Sequence, residues 1–322
     1  MKTASTKMPA WDVIIRRSQI LSEIRGFFEA RHVTEVTTPS LYSAASFDPH
    51  LASFVVATDQ GQQFLQTSPE YALKRVLAEY RQPVFEITPA FRAGDIGRNH
   101  NPEFLMLEWY RPDFSLVDLM EEVEQLLDAL PEPPSLWAEC RKAGIPKVSF
   151  QQIFIETFNE KPDDLSSAAL WEMVRSEDVD VEHLVFIDDS LFKSDCLDFL
   201  FKQVLEPTLP PVYFLTEFPL CQSALAVIDN DRQTASRFEL YWQGVELANG
   251  YEELRDVVEI NHRGALANEQ RKRRGLSHIE IDKAFVNASA RMPACAGVAL
   301  GFDRLLMVWL EKHQLAEVQL SL

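Results

Sequence analysis

The chain has 322 residues, of which 46% are hydrophobic and 25% charged, the ordinary composition of a globular protein that can bury its own core. Its formal net charge of −18 argues against nucleic acid as the default partner, because an acidic surface gains little from neutralising phosphates. The four cysteines lack metal-ligand spacing, and we find neither an apolar signal segment nor a run near the roughly 20 apolar residues of a membrane span. We therefore expect a cytoplasmic protein with free thiols and no membrane association.

Helical and strand periodicities alternate through the first 130 residues. Apolar residues three and four apart predict helices, whereas β-branched and aromatic runs predict strands. Asp12 can cap the first helix, and Pro69 stands in the first turn of the second. The predicted elements are, in order, a helix over residues 12–31, a strand that ends at Pro39, a hairpin of residues 54–57 and 63–66, a helix over 68–78, strands over 84–92 and 104–110, and a helix over 116–130.

The proline cluster P-E-P-P at residues 131–134 marks the best internal boundary. Residues 131–205 look mainly helical and chemically quiet, and we interpret them as an insertion. The later elements are short strands over 212–215 and 225–228, a hairpin over 238–248, a basic helical surface over 268–275, a strand over 297–300 and a helix over 302–313. This order predicts a mixed α/β (α+β) fold, a mostly antiparallel sheet flanked by helices.

The strand predicted at residues 104–110 presents two different faces. Met106, Glu108 and Tyr110 share one face, and the apolar residues between them share the other. A carboxylate at the centre of a strand suits a cationic group such as an amine. A solvated outer face would explain the same pattern equally well.

Arg92 ends the preceding strand, where its planar guanidinium suits a carboxylate or a phosphate. His100, Asn101 and Phe104 follow in a polar loop and could hold and stack an adenine. A structural ion pair is the alternative for Arg92 alone. Neither a G-x-G-x-x-G turn after a strand nor a P-loop occurs, so a nucleotide site must be built in another way.

The hairpin at residues 238–248 permits a geometric prediction. With Gln243-Gly244 as a two-residue turn, Tyr241 faces Glu246 and Glu239 faces Ala248. Glu239 and Glu246 are then diagonal neighbours about 7–8 Å apart. Two carboxylates at that spacing can hold Mg²⁺ against a triphosphate, with a third carboxylate in reach in the segment that follows. A salt-bridged surface hairpin is the alternative.

The segment 296–306 places Arg304 in the first turn of the final helix, which favours anions. Gly301 permits close backbone approach. Gly297 and Gly301 flank Ala299, which suggests that this strand passes close under a ligand.

These segments resemble motifs of the class II aminoacyl-tRNA synthetases: residues 92–110 motif 2, residues 238–254 the strand pair before motif 3, and residues 296–306 motif 3. Residues 12–39 resemble motif 1, the dimer interface of that family. The match is closest to the lysine-type catalytic domain, on S-P-E at 68–70, R-x-H-N-P-E-F-x-M-L-E-x-Y at 98–110 and E-L-A-N-G-x-x-E-L at 246–254. The resemblance covers nearly the whole chain, most weakly over 131–205, and implies one catalytic domain over residues 1–322 and a homodimer.

The anticodon-reading OB-fold of a lysyl-tRNA synthetase is not expected here, because motif 1 begins at once. A catalytic domain alone resembles the elongation factor P–lysine ligase family of synthetase paralogues, as do W-Y-R-P after motif 2 and M-P-A-C-A-G-V-A-L-G-F-D-R. That family activates (R)-β-lysine with ATP and joins it to a lysine side chain of elongation factor P. The resemblance implies ATP, Mg²⁺, (R)-β-lysine or lysine, and elongation factor P as acceptor, and it argues against tRNA.

The resemblance also implies residue roles. Arg92 would bind the substrate carboxylate and the α-phosphate, Arg304 the γ-phosphate, and Glu239 and Glu246 would hold Mg²⁺. The ATP-binding positions would be Arg92, Ala93, Gly94, His100, Asn101, Phe104, Glu246, Leu247, Gly301 and Arg304. The lysine-binding positions would be Ser68, Pro69, Glu70, Glu108, Tyr110, Asn249, Glu253 and Ala299, with Glu70 at the amine near the carboxyl end and Glu108, Tyr110 and Glu253 at the ε-ammonium.

Two positions depart from the synthetase pattern. The family's F-R-x-E reads Phe91-Arg92-Ala93-Gly94 here, with Asp95 one place late. Ala299 stands where lysyl-tRNA synthetases generally have Gly, and its methyl group would narrow the pocket and favour a β-amine. Two rival hypotheses remain: a truncated synthetase that charges tRNA, favoured by the basic run 271–274, and an inactive binding paralogue, favoured by Gly94.

Overall fold

The computed structural model describes residues 8–59, 61–177 and 190–320. Its helices are α1 (Trp11–Glu29), α2 (Glu70–Tyr80), α3 (Leu116–Ala129), α4 (Ser135–Ala143), α5 (Phe150–Phe158), α6 (Ser167–Ser176), α7 (Ser190–Leu200), α8 (Val257–Arg273), α9 (Lys283–Ser289) and α10 (Phe302–Trp309). Its strands are β1 (Thr34–Glu35), β2 (Leu41–Tyr42), β3 (Val55–Thr58), β4 (Gly61–Leu65), β5 (Val84–Phe91), β6 (Glu103–Pro112), β7 (Lys147–Ser149), β8 (Val212–Phe218), β9 (Ile228–Asp229), β10 (Thr234–Trp242), β11 (Val245–Glu252) and β12 (Cys295–Gly301). Within those described ranges, no helix has the length and apolar character needed to cross a bilayer.

Nine of these strands form one large sheet, in the order β1-β5-β6-β12-β11-β10-β8-β7, with β9 beside β10. The pairs β1–β5 and β7–β8 are parallel, and the central pairs are antiparallel. Strands β2, β4 and β3 form a small separate sheet. The predicted fold class, a mostly antiparallel sheet with helices, is confirmed.

One face of the large sheet is buried under α1, α3 and α10, because alternate residues of β6, β10 and β12 are large and apolar there. Phe28 of α1 contacts Trp109 of β6 with ring centroids 5.3 Å apart. Trp137 stacks on Trp242 of β10 at 5.5 Å. The intervening residues of the same strands therefore point to the opposite face, where the polar site lies.

The predicted insertion, residues 131–205, contains α4 to α7 and the short strand β7, so its mainly helical character is as expected. Strand β7 extends the large sheet beside β8. Aromatic residues of the insertion, including Phe150 and Phe201, form a second core with Tyr213 and Tyr241 of β8 and β10. The described residues of this segment thus cover one end of the sheet's polar face, while its interpretation as an insertion stays a prediction.

Several predicted element boundaries differ from the observed ones. Asp12 does not cap α1; Ala10 is the N-cap, and Asp12 lies in the first turn. Pro69 is the N-cap of α2 and does not lie in its first turn. The final helix ends at Trp309, and the strand predicted at 225–228 is reduced to Ile228–Asp229.

Candidate active site

A cavity of about 920 Å³ lies over the polar face of the large sheet. It brings together residues that are far apart in the sequence, as the three separate segments predicted. The predicted site residues that line it are Ser68, Glu70, Arg92, His100, Asn101, Phe104, Glu108, Tyr110, Glu239, Glu246, Leu247, Asn249, Glu253, Ala299, Gly301 and Arg304. Pro69, Ala93 and Gly94 are not among the lining residues.

Glu108 lies at the centre of β6, buried at the floor of the cavity. Ser68 Oγ donates to its Oε2 at 2.6 Å, and the Tyr110 hydroxyl donates to its Oε1 at 2.7 Å. Burial, reinforced by the neighbouring Glu70 carboxylate, raises the pKa of Glu108 to about 8. A cation brought next to Glu108 would reverse that shift, so this carboxylate is arranged to gain from an ammonium ligand.

Glu70 and Glu253 share a fully buried partner, Lys74. Lys74 Nζ lies 2.7 Å from Glu70 Oε1 and 2.6 Å from Glu253 Oε2. Burial alone would lower the pKa of Lys74, but the attraction of Glu253 and Glu70 raises it above its ordinary value, so the ammonium stays charged. Lys74 was not predicted as a site residue, although its position four residues after Glu70 on an amphipathic helix indicates that the two side chains are neighbours.

The hairpin β10–β11 carries a second polar cluster around Glu239. Tyr241 pairs with Glu246 as predicted, but a β-bulge between Leu240 and Tyr241 places Glu239 opposite Asn249. The predicted pairing of Glu239 with Ala248 is therefore wrong, because the bulge inserts an extra residue.

Both carboxylate oxygens of Glu239 accept hydrogen bonds. Arg237 Nη2 and Asn249 Nδ2 donate to its Oε1, and the Tyr241 hydroxyl donates to its Oε2 at 2.8 Å. Arg237 also donates from Nη1 to Gln222 O at 2.7 Å. Arg237 was not predicted as a site residue either, although its position two residues before Glu239 puts both on one strand face.

The two arginines singled out from the sequence are held by backbone carbonyls. Arg92 Nε donates to Thr67 O at 3.3 Å, and its guanidinium lies 5.1 Å from the Phe104 ring centre. Arg304 donates from Nε to Asn99 O at 3.1 Å and from Nη1 to Glu246 O at 3.0 Å. These bonds fix both cations at the cavity wall without a tight carboxylate partner; the nearest oxygen of the Glu246 carboxylate is 3.5 Å from Arg304 Nη1.

His100 and Asn101 lie in the polar loop between β5 and β6. Burial, followed by the positive charge of Arg304, lowers the pKa of His100 below its ordinary value of 6.5, so the imidazole is neutral at pH 7. Asn101 Nδ2 donates to Gln319 Oε1 at 2.8 Å, which ties this loop to the end of the chain.

Gly94 adopts a φ of +86°, a backbone conformation that disfavours other residues. A glutamate, which the synthetase pattern places here, would be strained in this turn. The next residue, Asp95, lines the cavity. Ala93 is held by a hydrogen bond from its backbone N–H to Ala52 O at 2.8 Å.

Gly297 lines the cavity. A Cβ there would lie 2.3 Å from Tyr110 Cε1 and 2.6 Å from Glu253 Oε1, so the absence of a side chain allows both residues to pack against β12. A Cβ at Gly301 would meet only ordinary contacts with Arg304, the closest at 3.6 Å. Ala299 lies between them and lines the cavity.

Two further expectations need correction. Glu253 is bound to Lys74 and so is not a third carboxylate for Glu239 and Glu246; across residues 8–59, 61–177 and 190–320, no three His, Cys, Asp or Glu side chains cluster as metal ligands would. The insertion is not chemically quiet, because Lys193 and Asp198 of α7 line the cavity. Asp198 Oδ1 accepts a hydrogen bond from Gln222 Nε2 at 2.7 Å.

Comparison with known proteins identifies the family of this chain. Residues 5–320 match the family model described as tRNA synthetases class II (D, K and N). The chain is 38% identical over 323 residues to the elongation factor P–(R)-β-lysine ligase of Haemophilus influenzae (strain PittGG), covering 96% of this chain and 95% of that protein. It is 37% identical over 330 residues to the protein of that name from Salmonella typhi (99% and 98% covered) and 38% identical over 322 residues to the one from Pasteurella multocida (95% and 93% covered). Since both the family model and these relatives extend over almost the whole sequence, the chain belongs to the class II tRNA synthetase family (D, K and N).

Proposed function

We infer that this chain is an ATP-dependent ligase that activates (R)-β-lysine as its adenylate and joins it to a lysine side chain of elongation factor P. Similarity to ligases of that name over at least 94% of the chain carries the inference. The cavity supports it, since buried carboxylates suit the amines of the substrate while two arginines suit its carboxylate and the phosphates of ATP.

In the first step, a carboxylate oxygen of the substrate attacks the α-phosphorus of ATP. The new O–P bond replaces the bond to pyrophosphate, which leaves, so no protein nucleophile is needed. Arg92 orients the substrate carboxylate and the α-phosphate, and Arg304 binds the γ-phosphate. Two fixed cations in a partly buried site lower the cost of the charge that accumulates between these groups.

The nucleotide is assigned to the loop between β5 and β6 and to the start of α10. Phe104 lies beside the Arg92 guanidinium and offers a ring face for adenine. The neutral His100, with Asn101, Leu247 and Gly301, lines the same part of the cavity. Ala93 and Gly94 lie outside the cavity lining, so we assign them to the shape of the loop.

Glu239 and Glu246 would hold Mg²⁺, and their chemistry fits that ion. Each carboxylate oxygen has two lone pairs, and Oε2 of Glu239 accepts a hydrogen bond from the Tyr241 hydroxyl, which leaves a second lone pair for a metal ion. The Glu246 side chain is 37% exposed and faces the cavity. Magnesium commonly takes one or two carboxylates with phosphate oxygens and water. When bound, it neutralises charge on the triphosphate.

The buried carboxylates would recognise the two amines of the diamino acid. Glu70, next to Ser68, is assigned to the amine nearer the carboxyl group, and Glu108, Tyr110 and Glu253 to the ε-ammonium, with Asn249 nearby. The Ala299 methyl group occupies space that a glycine would leave open, and we propose that it favours the β-amine over the α-amine.

In the second step, a neutral acceptor amine attacks the carbonyl carbon of the adenylate. A C–N bond forms, the C–O bond to phosphate breaks, AMP leaves and the amine releases a proton. The product is an amide on the acceptor side chain. The cationic wall that binds the phosphates in the first step also stabilises AMP as it departs.

Charging of tRNA is the rival acceptor reaction, and the basic run at residues 271–274 was its support. Two of these arginines are engaged within the protein. Arg271 is 9% exposed and donates to Ser277 O at 2.9 Å, and Arg274 pairs with Asp195 at 2.9 Å. With a net charge of −18, these contacts favour a protein acceptor.

We also propose a cytoplasmic homodimer. A translation factor as acceptor suits the cytoplasm. Helix α1, which resembles motif 1, exposes Trp11 to 74% and Ile15 to 44%, and exposed apolar side chains of this kind are typical of a protein interface.

The deciding experiment is ATP–pyrophosphate exchange with (R)-β-lysine and with α-lysine, followed by addition of elongation factor P or tRNA(Lys). Exchange that prefers (R)-β-lysine, with label moving to the protein, is expected. Label moving only to tRNA would support the synthetase alternative. Binding without exchange would indicate an inactive paralogue.

A further inference from the structure

A lysine is buried behind the end of the cavity that the carboxylates line. Lys74 is 0% exposed and is not one of the cavity-lining residues, whereas Glu70 and Glu253, which bind its ammonium at 2.7 and 2.6 Å, line the cavity. The rings of Tyr110 and Phe285 lie 6.0 and 5.8 Å from Nζ. The ammonium is thus surrounded by two carboxylates and two aromatic rings.

Stability alone does not account for a charge in this place. Lys74 lies on α2 next to Leu73 and Leu77, which are fully buried, so an apolar residue could continue the packing. Replacement of a buried ion pair by apolar residues of similar volume is often neutral or stabilising. The buried charge of Lys74 is therefore better explained by a role in the binding site than by stability.

The charges at this end of the cavity give that explanation. Glu70, Glu108 and Glu253 line this end of the cavity, and Lys74 contacts two of them. Burial raises the pKa of Glu253 to about 7 and that of Glu108 to about 8, and the Lys74 ammonium opposes the shift at Glu253. A diamino acid brings two ammonium groups to the same place. Without Lys74, the buried Glu253 would lose the cation that favours its ionised form, and a neutral carboxyl group attracts an ammonium ligand less strongly.

Lys74 also fixes the geometry of the carboxylates. One oxygen of Glu70 and one oxygen of Glu253 contact the same ammonium, which fixes the side chain from α2 relative to the side chain from the segment after β11. A ligand then meets two carboxylate side chains that are already ordered, so it does not bear the cost of ordering them.

We propose that Lys74 is a positioning and specificity-determining residue, whose ammonium orders Glu70 and Glu253 and favours their negative charge, which attracts a diamino acid. This rests on the proposed function, since it assigns the carboxylates to the amines of the substrate. Lys74 itself does not touch the substrate; it acts through Glu70 and Glu253.

The test compares Lys74→Ala and Lys74→Met with the wild-type chain, in pyrophosphate exchange and in calorimetric binding of lysine. Both variants should raise the KM and the Kd for lysine by about tenfold or more while the KM for ATP changes by less than about twofold. n-Propylammonium should restore lysine binding to Lys74→Ala, because it can fill the vacated space and supply the charge. It should not restore Lys74→Met, where the side chain occupies that space.

1-Propanol serves as the neutral control, because it has the size of propylammonium without the charge. Rescue by propanol equal to that by propylammonium would show that Lys74 only fills space, and a lysine Kd within twofold of wild type in both variants would also overturn the proposal. If Lys74→Ala does not fold, as judged by circular dichroism, the Lys74→Met binding constants still decide the matter. Wild-type protein that binds lysine without exchange would refute the proposed activity and leave the binding test intact, whereas wild type that binds no diamino acid would overturn both.

Discussion

Replacement of Gly297 by alanine tests whether the tight packing of Tyr110 and Glu253 against β12 holds the amine-binding end of the cavity. The new Cβ would lie 2.3 Å from Tyr110 Cε1 and 2.6 Å from Glu253 Oε1, whereas ordinary contacts begin at 3.4 Å. Tyr110 would have to move by about 1 Å, and overpacking of this kind costs about 1–3 kcal/mol. If this strain raises the free energy of the conformation that binds lysine, relative to conformations that do not, the KM for lysine rises by about 5- to 150-fold.

The assay is pyrophosphate exchange at varied lysine and varied ATP. Gly301→Ala is a matched control on the same strand, since its Cβ would meet nothing closer than Arg304 Cδ at 3.6 Å; its KM for lysine should stay near the wild-type value. Gly250→Ala is the second control, because its Cβ would meet Phe238 Cε1 at 2.5 Å on the helix-covered face. If Gly297→Ala and Gly250→Ala lower the stability equally and raise the lysine KM equally, the effect is general destabilisation and our reasoning about Tyr110 and Glu253 is wrong.

Three further predictions follow from single side chains. Because burial raises the pKa of Glu108 to about 8, the KM for lysine should fall as the pH rises from about 6.5 to about 8.5, and Glu108→Gln should flatten that profile; an unchanged slope would exclude Glu108 as its source. Ala299→Gly should shift exchange from (R)-β-lysine towards α-lysine, and an unaltered preference would contradict the role of the methyl group. Asp303 is 2% exposed and accepts hydrogen bonds from Arg17 and from Leu105 N, so Asp303→Ala should lower the free energy of unfolding by about 3–5 kcal/mol in urea denaturation, and a loss below about 1 kcal/mol would refute its structural role.

The strand faces were predictable from the sequence because alternation has a fixed period. Glu108 and Tyr110 share the cavity face of β6, and Trp109 between them lies in the core, as the pattern indicated. The same rule places Ala299 on the cavity face between two glycines. Local periodicity was sufficient to predict the face of each side chain wherever the strand was regular.

The hairpin β10–β11 shows where prediction from local periodicity fails. The turn and the pairing of Tyr241 with Glu246 were correct, but the bulge after Leu240 moved Glu239 opposite Asn249. The extra residue is Leu247 of β11, and no residue type in V-E-L-A-N predicts a bulge, since it depends on how the strand fits its two neighbours in the sheet. The strand register predicted from a turn is therefore correct only up to the first bulge.

The charged partners of the site were harder to predict, because they depend on contacts between distant segments. Lys74 contacts Glu70 within one helix, but its contact with Glu253 joins α2 to the segment after β11. The composition of residues 131–205 predicted a segment without site residues. Asp198 nevertheless lines the cavity, because this segment packs against the aromatic residues of β8 and β10. Long-range packing of this kind leaves little trace in a single sequence.

The backbone conformation of Gly94 explains why glutamate is absent at this position of motif 2. Read as a substitution alone, a glycine in place of a carboxylate suggests a lost contact and an inactive paralogue. With φ at +86°, however, the loop turns in a way that glutamate would disfavour, and it carries Asp95 to the cavity wall instead. A shorter carboxylate in the same loop is then the substitute to test. Asp95→Asn should raise the KM for ATP more than the KM for lysine, whereas an equal change in both would mean that Asp95 only stabilises the loop.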